Sequence, residues 1–190
     1  MNQTDSNKKL VLPGWMSCVN NYQLGDGLEI WQELVDPGAF TEVEYLIGHS
    51  LGANFALLNW PTNKNAKLIL VSPILFNAPL FDWFFRWLRY VFNEGLIISP
   101  KDIKSNRFFF GLKKGYKLLK PDYKKIIREI PKENLIMIRG KEDKYFCDQK
   151  VAEFVRGENI RLIELPGLGH NWNDEFKKTV EDILSEWQQH

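Results

Sequence analysis

The sequence predicts an α/β fold: a mostly parallel sheet of about five core strands flanked by helices, with a helical cap inserted late in the sheet. Three observations carry this. Five short apolar runs recur along the chain, helical patterns separate most of them, and one interval between runs is far longer than the rest. Strands alternating with helices require right-handed crossovers, and these bury a parallel sheet on both faces. With 190 residues, 44% hydrophobic and 14% aromatic, the chain has the core of one domain, spanning residues 1–190.

The first run, residues 10–12, leads into Pro13-Gly14-Trp15. Such loops matter because open α/β sheets place their sites at the C-terminal ends of the strands. Leu28, Trp31 and Leu34 then follow helical spacing and predict a helix over residues 27–35. The second run, 44–48, with Val43, Tyr45, Leu46 and Ile47, reads as a buried strand. A helix over 51–60 follows at once, with Leu51, Phe55 and Leu58 at i, i+4 and i+7 and Pro61 as its stop. Runs 67–72, 134–139 and 160–165 complete the sheet, ending in loops at Ser72-Pro73, 140–145 and 167–170.

About 60 residues separate the third run from the fourth, against an ordinary crossover of 2–6 loop residues and one helix. This predicts a cap insertion over approximately 77–130. It opens with LFDWFFRWLRYVFN, residues 80–93, where Phe81, Phe84, Phe85, Leu88 and Phe92 keep helical spacing, Trp83, Trp87 and Tyr90 widen the apolar side, and Asp82, Arg86, Arg89 and Asn93 mark a polar stripe. The insertion closes on a basic stretch. Between Lys101 and Arg128 stand ten Lys and Arg against Asp102 and Asp122, an excess of eight in a chain whose net charge is only +1.

The junction Gly48-His49-Ser50-Leu51-Gly52 carries the candidate chemistry. A serine on a tight strand-to-helix turn needs small neighbours two residues away on each side, which Gly48 and Gly52 supply. Its Oγ then stands above the sheet, and the amide of Leu51 lies at a helix N-terminus suited to an oxyanion. Such a nucleophile needs a base, and the chain has three histidines. His49 precedes the serine and is expected to point away from it, and His190 ends the chain. His170, closing Pro166-Gly167-Leu168-Gly169-His170 after the fifth run, is the candidate. Asp143, in Gly140-Lys141-Glu142-Asp143 after the fourth run, is the carboxylate expected to orient it, with Glu142 as the alternative.

The ordered set Gly48-His49-Ser50-Leu51-Gly52, Asp143 and His170 resembles the α/β-hydrolase family over nearly the whole chain. That resemblance implies a serine hydrolase cleaving a carboxylic ester or thioester through an acyl-serine, with Ser50, Asp143 and His170 as triad. It also makes Val11-Leu12-Pro13-Gly14-Trp15 the first core strand and oxyanion loop, with the amides of Trp15 and Leu51 as donors. Two departures stand out. Pro13-Gly14 replaces the usual His-Gly, and residues 15–43 are too few for the usual helix-strand-helix before the elbow, so a trimmed sheet is expected.

The basic stretch is either a solvated face or a site for something anionic: a carrier protein bearing an acyl group, a coenzyme A thioester or lipid headgroups. Two rival readings remain. One is a degenerate hydrolase fold serving as a binding scaffold. The other, more remote, is an RNA platform built on Arg107-Phe108-Phe109-Phe110 and Lys114-Gly115-Tyr116. Two cysteines, Cys18 and Cys147, with no C-x-x-C indicate neither a disulfide framework nor a zinc site. No cofactor is expected, no nucleic-acid partner, no transmembrane segment, and a cytoplasmic location.

Overall fold

The computed structural model describes residues 8–31, 34–76, 80–95 and 105–189. Its centre is a five-stranded sheet in the order β1 (Lys9–Leu12), β2 (Tyr45–His49), β3 (Lys67–Val71), β4 (Leu135–Gly140) and β5 (Arg161–Leu165). Every neighbouring pair is parallel, from Leu10 opposite Leu46 at one edge to Met137 opposite Leu162 near the other. Each strand falls within about a residue of its apolar run.

Strand parity divides the core. Leu10, Leu12, Leu46, Leu68, Leu70, Leu135 and Met137 face one side and join the larger cluster. Val11, Tyr45, Ile47, Ile69, Val71, Ile136 and Ile138 face the other. A sequential parallel order steps always in one direction, so right-handed crossovers put their helices on one face. Accordingly α1 (Leu51–Asn59) and α5 (Gln149–Gly157) pack on the first face. After the last strand, α6 (Asp174–Gln188) covers the second face with Phe176, Val180, Ile183 and Leu184.

Between β3 and β4 come α2 (Leu80–Glu94), α3 (Ser105–Leu118) and α4 (Tyr123–Glu129). The inner side of α2 sets Trp83 and Trp87 edge-on to Trp15, with ring centroids 6.3 and 5.9 Å apart. Its other side leaves Phe81, Phe84, Phe85 and Phe92 exposed. Lys101 and Lys104 of the basic stretch lie outside the described residues, as does His190.

The helix expected over 27–35 is a correction. Gly27 instead bridges Val11 in parallel, and the Leu28 amide donates to Val11 O at 3.0 Å, so this segment lies against β1. A side chain at Gly27 would meet Val11 O at 2.6 Å, which explains the glycine. Trp31 anchors the chain by donating to Pro13 O, whereas Leu34 is 87% exposed. Its place in the helical spacing was coincidental. Residues 107–110 and 114–116 of the RNA-platform reading lie within helix α3 and so form no sheet platform.

Candidate active site

The loops after β1, β2, β4 and β5 meet at the C-terminal edge of the sheet. Ser50 turns directly from β2 into α1 with φ 53° and ψ −125°, a strained conformation for a residue with a side chain. Close packing enforces the turn. A Cβ at Gly52 would lie 2.1 Å from Leu12 O, and one at Gly48 would lie 2.5 Å from the Cα of Ala53. The Ser50 amide is tied to Val71 O at 2.8 Å, which fastens the elbow to the neighbouring strand.

Ser50 Oγ lies 2.8 Å from His170 Nε2, and His170 Nδ1 lies 2.6 Å from Asp143 Oδ2. All three side chains are buried. An ionised carboxylate only accepts, so Nδ1 carries the imidazole proton and Nε2 is free to accept from the serine hydroxyl. Burial alone would raise the Asp143 carboxyl. The facing imidazole and the amides of Phe146 and Tyr145 outweigh it and hold the carboxyl below its usual range. Its Oδ1 accepts from the Tyr145 and Phe146 amides at 3.1 and 3.0 Å, and Oδ2 also accepts from Cys147 at 3.1 Å. Glu142 stands exposed beside it and spends its amide on Leu168 O. Position therefore separates the two acids.

Trp15 and Leu51 line the same cavity of about 100 Å³ as Ser50 and His170. Leu51 is the first residue of α1, so its N–H has no acceptor within the helix. The Trp15 indole is held by α3, donating to Gly111 O at 3.2 Å.

Sequence reasoning missed what holds these groups in place. His49 does point away from Oγ, but it is more than filler. The Gly14 amide donates to Tyr22 Oη at 2.7 Å, Tyr22 Oη lies 2.8 Å from His49 Nδ1, and His49 Nε2 lies 2.9 Å from His170 O. A carbonyl only accepts, so Nε2 carries the proton and the tyrosine hydroxyl donates to Nδ1. Burial pushes the His49 pKa down to about 3, aided by repulsion from His170, so this ring is neutral. The chain of bonds joins the loop bearing Trp15 to the main chain of His170. Tyr22 thus supplies side-chain support at Gly14.

The Tyr22 hydroxyl serves Gly14 and His49 at once, so Tyr22→Phe leaves a buried donor and a buried acceptor unpaired, at about 1–3 kcal/mol each. Urea unfolding should show that loss. If the bonds also hold the oxyanion loop, kcat should fall with it, by about 10-fold or more. An unchanged midpoint would sink this account of the network.

A second cavity, of about 910 Å³, opens between α2 and α3. Its lining is apolar, with Phe81, Leu112, Tyr116 and Leu119, and it shares Trp15, Leu51 and Trp83 with the cavity at Ser50. Lys113 stands at its rim. Lys114 turns inward instead, donating to Ile30 O at 2.6 Å and sitting 4.7 Å from the Phe55 ring centroid. The basic face is therefore smaller than the charge count implies.

No family model and no curated protein matches the chain. Solved structures do. An α/β-hydrolase enzyme from a Medee basin deep-sea metagenome library superposes with a TM-score of 0.63 at 15% identity, over 100% of this chain and 92% of that one. A carboxylesterase of the ammonia-oxidizing thaumarchaeon Nitrososphaera gargenis gives 0.59 at 14% identity, covering 97% and 90%. The monoacylglycerol lipase of Paleococcus ferrophilus gives 0.53 at 14%, covering 93% of each chain. The protein has the α/β-hydrolase fold. No helix among the described residues is long and apolar enough to cross a membrane.

Proposed function

We propose that the protein is a serine hydrolase that cleaves a carboxylic ester or thioester. One observation carries this reading: a buried imidazole within 2.8 Å of a strained serine hydroxyl and within 2.6 Å of a buried carboxylate. Ser50 Oγ attacks the acyl carbon while its proton passes to His170 Nε2. The Trp15 and Leu51 amides receive the oxyanion, Asp143 stabilises the imidazolium, and His170 protonates the departing alcohol or thiol. Water, deprotonated by the same imidazole, then releases the acid and frees the serine. A fluorophosphonate probe should label the wild type at Ser50 and leave Ser50→Ala unlabelled. An unreactive wild type would favour the scaffold reading.

The larger cavity supports an apolar acyl chain as the group delivered to Ser50, since it shares walls with the serine cavity and falls within the size range of ligand sites. Each methylene buried there contributes about 0.8 kcal/mol, up to about fourfold in kcat/KM. Rates on p-nitrophenyl esters should climb from acetate to octanoate, and Leu112→Asp should flatten the climb while sparing acetate. A flat wild-type series would remove the chain from this cavity. Exposed Lys113, Lys117 and Lys120 suit an anionic or carrier-bound leaving group.

A further inference from the structure

The main chain of His170 is held on both sides. Its carbonyl accepts from His49, on the elbow, and its N–H donates to Glu94 Oε2 at 2.7 Å. Glu94 is the last residue of α2, a helix inserted between β3 and β4, far in sequence from the loop it binds. Three further contacts join the same helix end to the same loop. Asn171 Nδ2 donates to the Glu94 carbonyl at 3.0 Å, the Tyr90 hydroxyl donates to Asn171 Oδ1, and the Tyr90 ring meets His170 edge-on at 5.6 Å. Gly169 lets the carboxylate in, because a Cβ there would lie 2.4 Å from Glu94 Oε2.

We propose that Glu94 is a positioning residue for the base: its carboxylate, carried on the inserted helix, holds the His170 main chain so that the imidazole meets Ser50. A half-buried carboxylate with that partner is poorly explained as a solubilising surface charge, and it has no role in the chemistry itself. It acts through the backbone of the base. One helix thereby touches both halves of the site, the oxyanion loop through Trp83 and Trp87 and the base through Tyr90 and Glu94. Seating of α2 and readiness of the imidazole become one event, so a chain lodged between α2 and α3 stabilises the arrangement that consumes it.

The proposal rests on the serine hydrolase reading, and the test separates the two. With the wild type shown to turn over a short ester, Glu94→Ala should lower kcat by about 10- to 100-fold, because small misplacements of a reacting group are expensive, while KM stays within about twofold. Glu94→Gln keeps a carbonyl acceptor for the His170 amide and should restore most of kcat. Gly169→Ala should mimic Glu94→Ala by displacing the carboxylate, and the double variant should be no worse than Glu94→Ala alone. Amide hydrogen exchange at His170 gives a readout independent of turnover: protected in the wild type and Glu94→Gln, faster in Glu94→Ala. Full kcat in Glu94→Ala, or additive losses in the double variant, would overturn the assignment. Should the wild type prove inactive, unchanged exchange in Glu94→Ala would overturn it equally, and faster exchange would uphold the clamp.

Discussion

Replacing Ser50 or His170 by alanine is expected to lower kcat on an activated ester by about 10⁶-fold, either change alone doing nearly as much as both together. The serine hydroxyl and the imidazole are 2.8 Å apart and act on one proton, so neither retains a function without the other. The proposed oxyanion donors, the amides of Trp15 and Leu51, are backbone groups that survive both substitutions, which leaves an expected residual rate above that of water. The fold should survive too. Ser50 already sits at φ 53°, and alanine suffers the same strain there, whereas Ser50→Gly relieves it and is expected to be the more stable variant. Active-site titration with a phosphonate, combined with single-turnover rates, checks the prediction. Either alanine variant retaining a tenth of the wild-type rate would dismiss the assignment of nucleophile and base.

What could be read beforehand follows from how local each constraint is. The elbow was legible because Gly48, Ser50 and Gly52 stand together in sequence at the spacing a tight turn needs, even though the contact at Gly52 comes from Leu12 on the neighbouring strand, and the strands because their apolar runs are short and dense. His170 and Asp143 were legible as loop residues after strands, since a parallel sheet gathers those loops at one edge. Tyr22, His49 and Glu94 were not. Each has a partner at the end of another strand or in the loop after it, and no periodicity brings residue 94 to residue 170. The segment 27–35 failed for a different reason. Trp31 is buried and Leu28 partly buried by a segment that lies against β1, and three apolar residues at helical spacing are too few to tell that from a helix.

The size of the sheet bears on how the site is supported. With β1 at its edge and only the bridge at Gly27 beside it among the described residues, the loop carrying Trp15 has little sheet next to it. Support comes from side chains instead: Tyr22 beneath Gly14, Trp31 on Pro13, and the α2 indoles against Trp15. These are specific contacts, and each is one substitution from loss. A sheet this small therefore makes the insertion part of the site rather than a cover over it.

Asp143→Asn is expected to lower kcat by about 10⁴-fold, with Glu142→Gln close to wild type. The size of that effect follows from the bonds already present. Oδ1 faces the amides of Tyr145 and Phe146, and Oδ2 faces the amide of Cys147 and His170 Nδ1, so every neighbour of the carboxylate is a donor. Asparagine has one acceptor oxygen to offer. Satisfying the two amides at Oδ1 turns its NH2 toward His170, which forces Nδ1 to accept and moves the imidazole proton to Nε2. That tautomer faces Ser50 with a donor and takes no proton from it. Turning the amide the other way sets NH2 against two N–H groups, a worse clash, so the protein has no comfortable escape. KM should change little, because substrate does not touch this acid, and the loss should appear in kcat. A variant Asp143→Asn within about tenfold of wild type, or Glu142→Gln more impaired than it, would transfer the orienting role from the buried acid to its exposed neighbour.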